Sequence, residues 1–268
     1  MALWPPSLLG LSHTIGMDTS TSSPTTLTSG GTAHTKGVWV ELVSSTLFDA
    51  DGLWLRVHTY RAVAGQATPG LIDIGIGADT VEQVVVADLF NSYDEMPGYW
   101  IPIRIPRGSR LSARWQTPLA SVTTTVSCVL VAGTGHSSTV SHTYGVDSAT
   151  SGGTMLPTGM AANTKSAWTE LVSATTAPIR YVIPMAMPGP TDVALGIDNV
   201  LFDFAFGPSG LETQLVSNLC AVTSSAEVFR YPKLVVPVRI SAGSRLAARY
   251  QRGTAISEAM SVAVVCCG

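Results

Sequence analysis

The chain has 268 residues, of which 46% are hydrophobic and only 12% charged, with a formal net charge of −3. The length suits two ordinary domains, each able to bury its own core. No Lys/Arg cluster supplies the footprint that nucleic acid requires, and no apolar run approaches the roughly 18 residues of a membrane span. High apolarity with so little charge points to surface buried against neighbours, or to a β-protein whose exterior is Ser/Thr-rich.

The opening stretch, Met1 to Gly10, is apolar but lacks a basic region and is interrupted by Pro5 and Pro6. It reads as an extended arm, residues 1–12, docking on its own domain or a neighbour, and not as a signal peptide. His13 to Ser22 matches His142 to Ser151 at six of ten positions, which starts a repeat. Ser29-Gly-Gly-Thr32 then matches Ser151-Gly-Gly-Thr154, implying extra Ser/Thr/Pro residues in the first copy. Thr35 to Ser44 matches Thr164 to Ser173 around Trp39 and Trp168. The strongest match pairs Ile101–Gln116 with Val236–Gln251, identical at ten of sixteen positions.

The segments between are strand-like. Val38–Val43, Leu53–His58, Gln83–Ala87 and Val122–Val131 are rich in β-branched and aromatic residues. Ile72, Ile74 and Ile76 alternate with Asp73 and Gly75; Phe202, Phe204 and Phe206 repeat the pattern around Asp203 and Ala205. The small residues on the second face imply something packed close, either another sheet's side chains or another subunit. A Pro between Ile101 and Ile103, and again between Val236 and Val238, predicts an edge or bulged strand. No stretch shows a sustained helical period, apart from a short turn near Val81 to Phe90. The expected fold is all-β: two tandem, homologous, jelly-roll-like β-sandwiches over 13–133 and 151–268, with 134–150 as linker and start of the second repeat.

Six charged positions recur: Lys36/Lys165, Glu41/Glu170, Asp73/Asp203, Arg104/Arg239, Arg110/Arg245 and Arg114/Arg249. Asp73 and Asp203 lie inside apolar strands, where an unpaired carboxylate is costly. Arg104 and Arg239 are the candidate partners, making structural ion pairs. Trp39/Trp168 and Trp115/Tyr250 read as core. Trp54 and Trp100 have no aromatic counterpart in the second copy and are the candidate interface or ligand aromatics. The four cysteines, Cys128, Cys220, Cys266 and Cys267, do not recur between copies and lack zinc spacing, so buried free thiols are expected. No Gly-x-Ser-x-Gly, His-Glu-x-x-His or P-loop appears. No catalytic residue, metal or cofactor is therefore assigned, and the chain reads as a non-enzyme.

Thr35-Lys-Gly-x-Trp-x-Glu-Leu-Val-Ser-Ser45, Leu71-Ile-Asp-Ile-Gly-Ile-Gly77 and Ile101-Pro-x-x-Ile-Pro-x-Gly-Ser-Arg-Leu-x-Ala-Arg114 together resemble structural proteins of tailed bacteriophages. The resemblance covers nearly the whole chain, once per repeat. It implies a virion component of tail, neck, fibre or capsid decoration, assembled in the host cytoplasm. The partners it implies are other copies of the chain, other virion proteins and, in the alternative reading, a host surface glycan. It brings no catalytic residues.

Overall fold

A computed structural model of the chain describes residues 10–59, 70–91, 98–135, 138–158, 160–188, 198–223, 229–230, 234–254 and 260–268. Most of the N-terminal arm, His136 and the acidic loop 93–97 lie outside the described residues. The first repeat supplies β1 (Ser12–Ile15), β2 (Met17–Asp18), β3 (Ser23–Thr28), β4 (Val40–Val43), β5 (Gly52–Thr59), β6 (Gly70–Ile76), β7 (Gln83–Asn91), β8 (Gly98–Ile101), β9 (Leu111–Gln116) and β10 (Thr123–Val131). The second supplies β11 (Ser141–Tyr144), β12 (Val146–Asp147), β13 (Gly152–Leu156), β14 (Thr169–Val172), β15 (Ile179–Pro188), β16 (Asp198–Phe206), β17 (Thr213–Thr223), β18 (Phe229–Arg230), β19 (Val236–Ile240), β20 (Leu246–Arg252) and β21 (Met260–Cys267). The first strand thus begins at the last residue assigned to the arm. Gln83–Asn91 is a strand and not a helical turn: β7 lies antiparallel to β6, and Val85, Val86, Leu89 and Phe90 reach the core on either side of its bulge.

Among the described residues, eight of the strands in each repeat make the two sheets of a jelly roll. In the first, the order β3-β10-β5-β8 forms one sheet and β4-β9-β6-β7 the other. In the second, β13-β21-β15-β19 and β14-β20-β16-β17 repeat both orders. Period-2 alternation fills the space between sheets. Leu53, Leu55, Ile72, Ile74, Trp115, Val126 and Cys128 are buried in the first domain, and Val182, Phe202, Phe204, Tyr250, Val262 and Val264 in the second. Phe202 stacks on Tyr250 with centroids 6.0 Å apart. β8, which runs into Pro102, and β19, which holds Pro237, are the outermost strands of their sheets among the described residues, where a missing N–H is tolerated: Leu53 opposes Ile101, and Val182 opposes Val236.

Strand register also corrects the alignment. Leu27 lies opposite Thr124 and Leu156 opposite Met260, so β3 and β13 are equivalent. Their separation, 27 to 156, is the 129 residues that separate His13 from His142. No insertion precedes this point, and the Ser-Gly-Gly-Thr match is a coincidence of composition.

The domains are joined by more than a linker. β11, in the second domain, pairs parallel with β7 of the first at Ser141 and Val86, and the backbone around Ser138 bonds to Pro102 and Arg104. β21 is buried along its whole length. Val262, Val264 and Cys266 enter the second core, while Ala263, Val265 and Cys267 join Ile183 and Met185 in the cluster that contains the first core. This two-sided burial explains the unbroken apolar run of the last strand. It also puts the adjacent Cys266 and Cys267 in different cores.

Burial pushes the Cys128 and Cys267 thiols up to about 12, and Cys266 well above its usual value for the same reason. Cys220, expected to be buried, is exposed, because it faces outward from β17. A thiol reagent added to the native protein is therefore expected to modify Cys220 alone. The other three should react only on unfolding, which stoichiometric labelling with and without denaturant would show.

Candidate functional site

Asp73 owes its place in an apolar strand to a defect in the neighbouring one. The β6–β7 register slips between Ile72 and Ile74, leaving a bulge around Asp88, whose φ is 48°. A bulge strands a backbone N–H, and the N–H of Asp88 donates to Asp73 Oδ1 at 2.9 Å. Asp and Asn tolerate this left-handed conformation better than most residues. The second domain repeats the device: Asn218, φ 54°, donates to Asp203 Oδ1 at 2.8 Å.

Two cations complete each carboxylate. Lys36 Nζ and Arg114 Nε each lie 2.8 Å from Asp73, and Lys165 Nζ and Arg249 Nε each lie 2.8 Å from Asp203. Lys36 also reaches Asp88 at 2.7 Å. Trp39 and Trp168 then lie against the Arg guanidinium groups, 4.4 and 4.3 Å from ring centroid to Cζ, a cation–π geometry. These tryptophans are half-buried lids on the sheet's outer face, not the core residues the sequence suggests. Trp39 is also what packs against Gly75, where a Cβ would stand 3.0 Å from the ring. Trp115 and Tyr250 are core, as read.

A second cluster ties the β6–β7 turn to β9 and β4. Arg110 reaches Glu82 at 2.7 Å and Glu41 at 2.8 Å, and Arg245 reaches Glu212 at 3.0 Å and Glu170 at 2.8 Å. Glu82 and Glu212 were missed in the sequence although both copies carry them. Their signal, an acid beside a turn whose lengths match, is weak without knowing which Arg faces it. Arg104, just past β8, and Arg239, in β19, stand exposed, and no ion pair among the described residues joins them to Asp73 or Asp203. The alternation that buries Ile103 and Ile105 turns Arg104 to the outside of the other sheet, away from Asp73.

Trp54 and Trp100 are brought together. They are directly cross-strand on β5 and β8, half-buried on the outer face of the first domain. The Trp100 ring lies over Gly52 and the Trp54 ring over Gly98, so closely that neither glycine could carry a Cβ without displacing the indole. The two rings are thereby laid flat along the sheet.

Little in these clusters suits catalysis. Both oxygens of Asp73 and Asp203 accept from cations and a backbone N–H, and both residues are buried, at 3% and 1% exposure. His34 Nδ1 lies 3.2 Å from Ser151 Oγ, the spacing of a nucleophile and its base. However, Ser151 has 0% exposure and its Oγ also receives Gln116 Nε2 at 3.0 Å. Together with the bond from Gln116 Nε2 to Ser148 O at 2.7 Å, this contact clasps the two domains. Among the described residues, no group of three or more His, Cys, Asp and Glu side chains could hold a metal. A pocket of about 240 Å³ between His142, Tyr144 and Arg180 is smaller than most ligand sites.

No protein-family model matches the chain, and no curated protein does either. Solved structures similar to it include the peptide-N(4)-(N-acetyl-β-D-glucosaminyl) asparagine amidase, at 10% identity over 96% of each chain with a TM-score of 0.33. The tandem CBM22 domains of Paenibacillus barcinonensis Xyn10C align at 9% identity over 91% of this chain and 86% of that one, TM-score 0.26. Tripeptidyl peptidase 2 aligns at 8% identity over 97% of this chain, TM-score 0.29, but the chain spans only 23% of its length. These likenesses carry no argument about function.

Burial raises the Asp203, Glu82 and Glu212 carboxyls, but hydrogen bonds to Lys165, Asn218 and Arg249, to Arg110, and to backbone N–H groups and Arg245 outweigh it and hold all three below their usual values. A carboxylate with a lowered folded pKa stabilises above its unfolded value and loses that contribution as pH falls through the folded one. The melting temperature is therefore expected to hold near neutrality and to fall below a pH of about 4.5, with a shallower fall in Asp203→Asn. Replacing the same residue with Ala leaves two cations facing a partly buried gap. A loss of about 2–4 kcal/mol is expected by denaturant titration at pH 7.

Proposed function

We propose that the chain is a non-enzymatic structural protein of a tailed-phage virion, working by packing its jelly rolls against further copies and other virion proteins. The observation that supports this most is where the polar residues go. Those repeated in both domains, Lys36, Asp73, Arg110 and Arg114 with their twins, are spent on a bulge, a turn and a tryptophan lid. They hold two scaffolds and offer nothing to a substrate. The low charge fits a molecule whose exterior is used for contact. Tail, neck, fibre and capsid decoration are the placements this reading covers.

Quantitative mass spectrometry of purified particles, with gold-labelled antibody in electron micrographs, tests it. The chain is expected at a fixed, symmetry-related copy number on one feature of the virion. Its absence from washed particles would sink the reading.

A second reading rests on Trp54 and Trp100. Two indoles laid flat on a sheet form an apolar platform of the sort that stacks on sugar rings. If that face binds a host glycan, glycan-array binding by the wild type should fall at least tenfold in Trp54→Ala with the melting temperature unchanged. A blank array for the wild type removes this alternative.

A further inference from the structure

The two domains are equivalent in fold but unequal in what covers them. The outer face of β15, β21 and β11 packs on the first domain. Ile183, Met185, Val265 and Ser141 are all at or below 1% exposure there, and Thr143 Oγ1 donates to Ala87 O at 2.7 Å. Their equivalents by strand register are Trp54, Arg56, Val129 and Ser12, with Thr14 for Thr143. Trp54 and Val129 are half-buried, while Arg56, Ser12 and Thr14 are exposed. The same face therefore exists twice; among the described residues the second domain's copy is covered at these positions and the first domain's is not.

The surface that covers it also exists twice. In the first domain it includes Val86 and Ala87 of β7 and the Pro102–Ile103 edge, where Ser138 bonds to Pro102 and pairs with Ile103. The equivalents in the second domain are Val216 and Ser217 of β17, and Pro237 and Val238 of β19. Ser217 and Pro237 are exposed and Val238 is half-exposed, whereas Ile103 is fully buried. Backbone pairing follows suit. β7 is closed by β11, but along β17 the only partner other than β16 among the described residues is β18, at Val222 and Thr223. β1 likewise pairs with β10 on one side and with nothing on the other among the described residues. Open edges of this kind are templates for further pairing.

The polar clasp has unused twins as well. Gln116 and His34 hold Ser148 and Ser151 across the domain boundary. The matching Gln251 is half-buried, and Asn163, Thr19 and Ser22 are exposed. Ser22 and Ser151 share the same left-handed backbone, φ 55° and 56°, so the serine is already posed to accept. Among the described residues, a sheet face, a strand edge and a clasp thus each occur once joined and once unjoined, in complementary places.

We propose that copies of this chain associate head to tail by repeating the contact between their own domains: the Trp54–Thr14 face of one copy covers the β17–β19 edge of the next. This rests on the assembly reading and specifies its interface. β1 would extend the sheet of β17 as β11 extends that of β7, Thr14 would donate to Ser217 O, and Gln251 would reach Thr19 and Ser22. Such a contact is heterologous: each copy presents two different surfaces, so the assembly closes as a ring or continues as a filament.

Two exposed positions on each surface allow a decisive test. Ser12→Arg with Thr14→Arg blocks the face; Ser217→Arg with Pro237→Arg blocks the edge. Full-length wild-type protein in light scattering coupled to size exclusion is expected as an oligomer or a concentration-dependent polymer. Each double variant alone should be monomeric, with an unchanged melting curve as the folding control. Mixed, they should form one discrete one-to-one dimer, since each retains the surface the other lacks. A wild type that stays monomeric at high concentration and is absent from particles overturns both this proposal and the assembly reading. A wild-type oligomer that the variants leave intact, or blocked variants that do not recombine, overturns the head-to-tail interface alone.

Discussion

The burial of β21 on both faces is what the rest of the molecule is arranged around. A strand in a β-sandwich ordinarily gives one face to its core and the other to water. Here the eight residues from Met260 to Cys267 have no wet side, so the second domain cannot hold its outer sheet in solution without exposing Ala263, Val265, Ile183 and Met185. The first domain meets that demand with its β7 edge and the Ile103 segment. Two homologous folds become one body with two cores and a shared wall.

Within each domain, a smaller constraint is handled twice in the same way. The bulge opposite Asp73 and Asp203 gives its strand a sharper twist but frees a backbone donor. The carboxylate satisfies that donor, and its charge then calls for Lys and Arg, and the Arg for a flat aromatic face. Each step creates the need met by the next. The charged residues that recur between the copies are a chain of local remedies on the outer surface of one sheet.

How much of this was legible beforehand depended on range. The duplication follows from matched residues, and the inward faces of Ile72/Ile74 and Phe202/Phe204 and the edge role of β8 and β19 follow from period-2 alternation and the chemistry of proline. The partner of Asp73 did not. Arg104 and Arg114 have the same composition around them, and only the register of β6 against β9 puts Arg114 opposite Asp73. The role of Trp39 was misread for a related reason: a tryptophan beside a strand looks like core until Gly75 and Arg114 are seen to make a seat for it outside. The Ser-Gly-Gly-Thr match misled because identity in a low-complexity stretch carries less information than the opposing strand.

The position of β21 in the chain bears on how the protein is made. Synthesis runs from the amino end, so Ser138 and Ser141, which pair with Ile103 and Val86, follow closely on the first jelly roll and can cover that flank early. β21 comes much later, and until then β11, β13 and β15 lack the strand with which all three pair. Its arrival fills that gap and supplies side chains to both cores. The window before it is when the polypeptide most depends on chaperones to keep those edges from foreign strands.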